Sequence, residues 1–207
     1  MIKHDIDGDC HILRLFRPEK ANALTEGMLQ DIAAAVALAI DRRAKVLILT
    51  GEGRVFSAGA DLDGMREGLG ASPAWQAASG ALADFPGLTI AALNGTLAGG
   101  AMGLALACDL RIAVPSAQFF YPVMRLGYRP QPSDPGRLAS LVGPSRAKTI
   151  LLAGQRIDAD TALSWGLIDR ICTPDTLIDT AKALAADALT ADISHLQALK
   201  QMTRGTE

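Results

Sequence analysis

The stretch Asn94-Gly95-Thr96-Leu97-Ala98-Gly99-Gly100-Ala101-Met102-Gly103 follows the apolar run LTIAAL at 88–93. It reads as a buried strand, a glycine-lined turn and a short helix over 99–108. A second stretch of the same design lies upstream. Arg54-Val55-Phe56-Ser57-Ala58-Gly59-Ala60-Asp61-Leu62 follows KVLILT at 45–50. Continuous apolar runs bounded by glycine are what strands covered on both faces look like. Small residues at a strand's end let a ligand approach the backbone, and free N–H groups at a helix start attract developing negative charge. Two such turns side by side can form a two-donor oxyanion hole.

Outward from these turns, 2–6 and 10–16 read as two strands around an Asp7-Gly8 turn, and Pro18 ends the second. Thr25 caps a helix whose Met28, Leu29, Ile32, Val36, Ala39 and Ile40 recur at three- and four-residue spacing. Residues 61–84 read as helix interrupted at Gly64, Gly68, Gly70 and Pro73, and 110–114 as a third buried strand. From Pro115 to Pro144, proline and glycine predict loops and short extended pieces. Helices are expected at 145–153 and 158–165, ended by Gly154 and Gly166 in left-handed caps. Thr173-Pro174-Asp175 opens a helix to residue 189, and 193–202 is a last amphipathic segment. Alternating strands and helices predict an α/β class.

The chain has 207 residues, 49% hydrophobic but only 4% aromatic, with 20% charged and a net charge of −2. That hydrophobicity excludes a disordered chain, and the absent basic excess argues against a nucleic-acid partner. Cys10, Cys108 and Cys172 are too scattered for a disulfide framework or a zinc site and suit a reducing compartment. The N-terminus lacks the apolar core of a signal peptide, and no apolar run reaches the roughly 18 residues of a membrane span. The expectation is a soluble cytoplasmic protein with no metal and no membrane partner.

Other motifs fail on their spacing. The acids Asp5, Asp7 and Asp9 resemble a calcium loop, but Cys10 and Phe16 stand where its glycine and glutamate belong. Gly51-Glu52-Gly53 lacks the third glycine of a dinucleotide fingerprint, which would fall at Phe56. No nucleophile elbow or P-loop is present, and His4, His11 and His195 read as isolated.

Four ordered motifs then resemble the crotonase superfamily, the enoyl-CoA hydratase/isomerase family. They are Arg17-Pro18-Glu19-Lys20-Ala21-Asn22-Ala23-Leu24, FSAGADL at 56–62, NGTLAGGAMGLALACDLRIA at 94–113 and LVGPSRAKTILLAGQRIDADTALSWGLID at 141–169. The resemblance covers about residues 10 to 190. It implies a spiral of strand-strand-helix turns over 1–190, a short helical piece at 191–207, and assembly into a homotrimer or hexamer. The implied ligand is a coenzyme A thioester, as substrate rather than cofactor. By position, the oxyanion hole falls on the backbone N–H groups of Ala60 and Gly100. Ala21, Ala23, Ala58 and Leu62 fall on the coenzyme A pocket. Asp61, Gly99, Gly103 and Val123 also fall within the substrate-binding region, with the Asp61 side chain expected to cap the chain after its turn.

The departures narrow the chemistry. The resemblance assigns the family's two glutamates to Gly103 and Val123, and neither can move a proton. Asp134, Tyr121 and Tyr128 are the only nearby candidates for an acid or base, although Asp134 between prolines reads as a turn-former. Arg125 and Arg129 read as solvated surface rather than ligand contacts. The family pattern continues with further helices beyond Gly205-Thr206-Glu207, which implies an open or partner-completed site. Three functions follow from the resemblance. The first is an acyl-CoA enzyme of the hydratase/isomerase group with a non-standard acid/base. The second is an acyl-CoA decarboxylase needing no base, and the third a non-catalytic acyl-CoA binding or assembly subunit.

Overall fold

Covalent spacing and glycine placement build the architecture, seen here in a computed structural model that describes residues 1–203. The end at Gly205-Thr206-Glu207 lies outside the described residues. The chain opens with a hairpin, β1 (Ile2–Asp7) and β2 (Cys10–Leu15), paired from Ile2↔Leu15 to Asp7↔Cys10. The two loop residues are therefore Gly8 and Asp9, one position later than expected, and Gly8 takes φ 57°. Thr25 caps α1 (Glu26–Asp41) by accepting from the Met28 N–H, and five of the six predicted core positions are buried; Ile40 is exposed.

Three strand-strand-helix turns follow. β3 (Val46–Gly51) passes to β4 (Val55–Ser57), then to α2 (Leu62–Arg66) and α3 (Ala74–Asp84). β5 (Leu88–Leu93) passes to β6 (Thr96–Ala98) and α4 (Ala101–Ala107). β7 (Leu110–Ala113) passes to β8 (Gln118–Phe120), α5 (Val123–Leu126) and α6 (Asp134–Val142). The long strands stack in one sheet and the short strands in a second. The six-stranded sheet has the order β1-β2-β3-β5-β7-β10, and the four-stranded sheet β4-β6-β8-β9. The remaining elements are α7 (Pro144–Leu151), β9 (Ile157–Asp158), α8 (Ala159–Trp165), β10 (Arg170–Ile171), α9 (Leu177–Leu184), α10 (Ala186–Thr190) and α11 (Ile193–Thr203). Gly166 caps α8 in the left-handed conformation, as its position predicts.

Each change of sheet needs a sharp bend, and two asparagines hold the bends. Asn94 accepts from the Gly51 N–H and donates to the Gly53 carbonyl, tying the end of β5 to the β3–β4 bend. Asn22 is fully buried in a left-handed conformation at φ 53°. Its side chain accepts from the Arg17 N–H and donates to the carbonyls of Glu52 and Val55. Loss of such partners in a dry interior costs about 1–3 kcal/mol for each group left unpaired.

Two further expectations fail: the helix expected from 173 to 189 is a 3-10 turn at Pro174–Thr176 followed by α9 and α10, and the loop expected up to Pro144 holds a helix. Residues 134–142 form α6 and not a loop. Ser133-Asp134-Pro135 is a helix start of the same kind as Thr173-Pro174, with proline in the first turn where its missing N–H is no loss. The density of proline and glycine before it concealed that signal.

Candidate active site

The two glycine turns meet. Gly59 takes φ 99° and Gly99 takes φ 55°, conformations that side chains resist. A Cβ at Gly59 would lie 2.9 Å from the Ala98 carbonyl oxygen, and one at Gly99 would lie 3.6 Å from the Gly59 Cα. Bare backbone is what lets the turns abut. The strap before α1 then holds the first turn from beneath. The Ala58 N–H donates to the Ala21 carbonyl, the Leu24 N–H to Gly59, and the Asp61 N–H to Leu24. Ser57 Oγ donates to the Asn22 carbonyl and accepts from the Gly59 N–H. On the second turn, the Gly99 N–H donates to the Phe120 carbonyl.

These bonds use the neighbours of Ala60 and Gly100 and skip the N–H groups of both. Neither N–H has an acceptor among the described residues. Both residues line a cavity of about 330 Å³, together with Ala58, Gly99, Val123 and Tyr121. Leu62, 74% exposed, stands at the rim of the same cavity.

Other predicted residues lie elsewhere. Ala21 and Ala23 sit on the strap behind the first turn and do not line the cavity. Asp61 also faces away from it: one oxygen caps α2 through the Asp63 and Gly64 N–H groups, and the other receives Arg17 at 2.5 Å. That guanidinium holds the carboxyl below the usual carboxylate range. Of the two arginines read as surface, both are exposed, but Arg129 lines the cavity and Arg125 does not. Tyr128 lines it as well. His4 and His11, read as isolated, touch each other at 2.9 Å across the hairpin, and neither lines the cavity.

Asp134 is the main surprise. The turn-former reading is wrong: the carboxyl is 1% exposed, in the first turn of α6. Tyr121 donates its hydroxyl to Asp134 Oδ2 at 2.9 Å. Burial pushes the Asp134 carboxyl up to about 6, against the opposing pull of the Tyr121 hydroxyl and Arg137. Burial and the adjacent carboxylate push the Tyr121 phenol up, so it stays neutral and can pass a proton without holding a charge. Asp134 lies outside the cavity lining. It borders a small void shared with Gly103, Ser79 and Gln131.

Three more residues escaped the sequence reading. Trp75 donates its indole N–H to the Leu69 carbonyl, and its ring lies 2.9 Å from where a Gly100 Cβ would project. Gln131 donates to the Gly70 carbonyl, and Gln76 to Ser133 Oγ, so the loop before α6 is strapped to the α2–α3 segment. Nothing in the spacing of a lone tryptophan or a glutamine between prolines marks either as a cavity wall.

The chain and its fold match known proteins. The enoyl-CoA hydratase/isomerase family matches residues 7–206. The chain belongs to that family. Within it, the chain is 35% identical over 175 residues to a Mycobacterium bovis protein carrying an enoyl-CoA hydratase name, covering 84% of this chain and 70% of that protein. It is 33% identical over 190 residues to a short-chain-enoyl-CoA hydratase of Clostridium acetobutylicum, covering 86% of this chain and 71% of the relative. Among solved structures, DspI of Pseudomonas aeruginosa superposes with a TM-score of 0.91 at 31% identity, covering 99% of this chain and 86% of that one. The α/β fold is thus the crotonase-like fold of the enoyl-CoA hydratase/isomerase family. No helix among the described residues is long and apolar enough to cross a membrane. Among the same residues no group of three or more His, Cys, Asp or Glu is placed to hold a metal ion.

Proposed function

We propose that this family member binds an acyl-CoA and forms its thioester enolate. The Ala60 and Gly100 N–H groups hold the thioester oxygen, and the Tyr121–Asp134 pair takes the α-proton. In that step the C–H bond at the α-carbon breaks and its electron pair moves into the thioester carbonyl. The proton passes to the Tyr121 oxygen while the tyrosine's own proton passes to Asp134. Tyr121 ends neutral, Asp134 ends protonated, and the negative charge rests on the enolate oxygen between two N–H donors. Each such donor contributes about 2.7–4 kcal/mol to the transition state, and a positioned acid or base adds about 10²–10⁴-fold in rate.

The observation that carries this reading is the bond from a cavity-lining phenol to a buried carboxylate held near pH 6. A decarboxylase or a pure binding subunit needs no such pair, and burying a carboxylate without a use is unfavourable. The expected trimer or hexamer belongs to the same proposal. Leu62 and Leu126 are large apolar side chains exposed at the cavity, and a second subunit would cover such surface.

The test uses butyryl-CoA in heavy water and crotonyl-CoA in ordinary water. Deuterium appearing at the butyryl α-carbon, lost in Tyr121→Phe and Asp134→Asn, supports enolate formation. Hydration of crotonyl-CoA would further name the net reaction. Tight calorimetric binding of butyryl-CoA without any exchange contradicts the proposal, and carbon dioxide release from malonyl-CoA without exchange points to the base-free chemistry instead.

A further inference from the structure

Gly103 stands in the first turn of α4, with every neighbour on that helix buried. Its φ is not positive, so no backbone conformation calls for glycine there. Glycine is also among the weakest helix formers, and Ala101, Leu104, Ala105 and Ala107 around it are good ones. Local propensity therefore argues against glycine at this position. A packing constraint must favour it.

The constraint is a single side chain. The three nearest atoms that a Cβ on Gly103 would meet all belong to Asp134: both carboxylate oxygens, with Oδ2 at 2.8 Å, and Cγ at 2.9 Å. Such distances are shorter than side-chain carbons tolerate. The Asp134 carboxylate thus occupies the volume that any side chain at position 103 would claim. The approach is fixed from the Asp134 side too. The Asp134 N–H donates to the Gln131 carbonyl, and the Tyr121 hydroxyl binds Oδ2. Backing out of the berth would break the phenol–carboxylate bond.

We infer that Gly103 is the positioning residue for the site's proton acceptor: the bare Cα on α4 is the berth that seats the Asp134 carboxylate against Tyr121. The two positions act as one unit. A carboxylate that the family resemblance would hang from α4 is supplied instead from the start of α6, and it enters the space left by the missing side chain. Only one of the two helices can fill that space. Ser79 Oγ borders the same void and has no hydrogen-bond partner among the described residues, so a displaced carboxylate has a polar surface at hand. This inference rests on the proposed role of Asp134.

The experiment is a double-mutant cycle on the full chain with two readouts. Unfolding midpoints are measured for the wild type, Gly103→Ala, Asp134→Ala and the double variant. The collision predicts that Gly103→Ala lowers the midpoint by about 3–6 °C in the wild type. In the Asp134→Ala background the same change leaves the midpoint unchanged or raises it, because alanine is the better helix former. The second readout is α-deuterium exchange into butyryl-CoA against pH. Gly103→Ala is expected to slow exchange by roughly 10–100-fold, and to move its acidic limb below pH 6 as the carboxyl shifts toward solvent. Additive midpoints together with an unmoved acidic limb overturn the inference and leave the role of Asp134 standing. Wild-type exchange in Asp134→Asn removes that role itself, whatever the midpoints show.

Discussion

The two halves of the candidate site are made of different material. The half proposed to hold the anion, residues 57–61 and 98–101, consists of backbone: two left-handed glycines abut, and two N–H groups are left without acceptors among the described residues. The half proposed to handle the proton is built from three separate segments: the side chains of Tyr121 after β8 and Asp134 at the start of α6, and the vacancy at Gly103 on α4. A backbone half is encoded locally and tolerates change only in size. A side-chain half is encoded by coincidence in space, so a carboxylate can change helices without altering the fold around it. One half can thus persist while the other is rebuilt.

Breaking the backbone half has the largest expected effect. Gly59→Val drives a Cβ into the Ala98 carbonyl oxygen from a φ of 99°. Losing one donor's alignment is expected to slow exchange by about 10²–10³-fold, and the strain to destabilise the fold by about 1–3 kcal/mol. Exchange rate and denaturant midpoint check both.

Breaking the side-chain half separates function from stability. Asp134→Asn is expected to slow exchange by about 10²–10⁴-fold while stabilising the protein. The sign follows from the direction of the shift. The Asp134 carboxyl titrates near 6 in the fold and near 3.8 when unfolded, so the folded state holds the proton more tightly. Its contribution to stability is complete below about pH 4, is lost as pH rises to 6, and stays absent above that. At pH 7 the neutral asparagine avoids that loss, an expected gain of about 1–3 kcal/mol. Denaturation at pH 4 and pH 7 tests this, because the difference between the two proteins should shrink at the lower pH.

Asn22→Ala sharpens the comparison from outside both halves. Removing the buried clamp on the first turn is expected to cost about 2–4 kcal/mol of stability, with no change in the pH at which the acidic limb falls. The smallest effect is at the rim. Arg129→Gln should raise the KM for butyryl-CoA a few-fold, and Arg125→Gln should leave it unchanged, because only Arg129 lines the cavity.

This division also explains what the sequence could disclose. The α/β class was legible in the residues, two of whose apolar runs end at Gly51 and Asn94, whereas the spiral itself came with the family resemblance. Ala60 and Gly100 entered as candidates through the same resemblance, which assigns them to the two glycine turns. Asp134 was readable as a candidate, but its burial was not, because Ser133-Asp134-Pro135 looks alike at a surface turn and at a helix start. The berth at Gly103 was visible only as an absence. No sequence spacing connects residues 103 and 134; the packing of α4 against α6 does. Trp75, too, gave no sign, since a buried aromatic on a helix usually belongs to the core.

The central claim is that a carboxylate on α6 drives enolate formation in a hole made of backbone. The most direct measurement is the pH dependence of α-deuterium exchange into butyryl-CoA for the wild type and Asp134→Asn. The account predicts exchange in the wild type that rises with pH through about 6, as the Asp134 carboxyl ionises, and a rate in the variant lower by orders of magnitude with no such rise. Equal rates and equal pH profiles for the two proteins would contradict it.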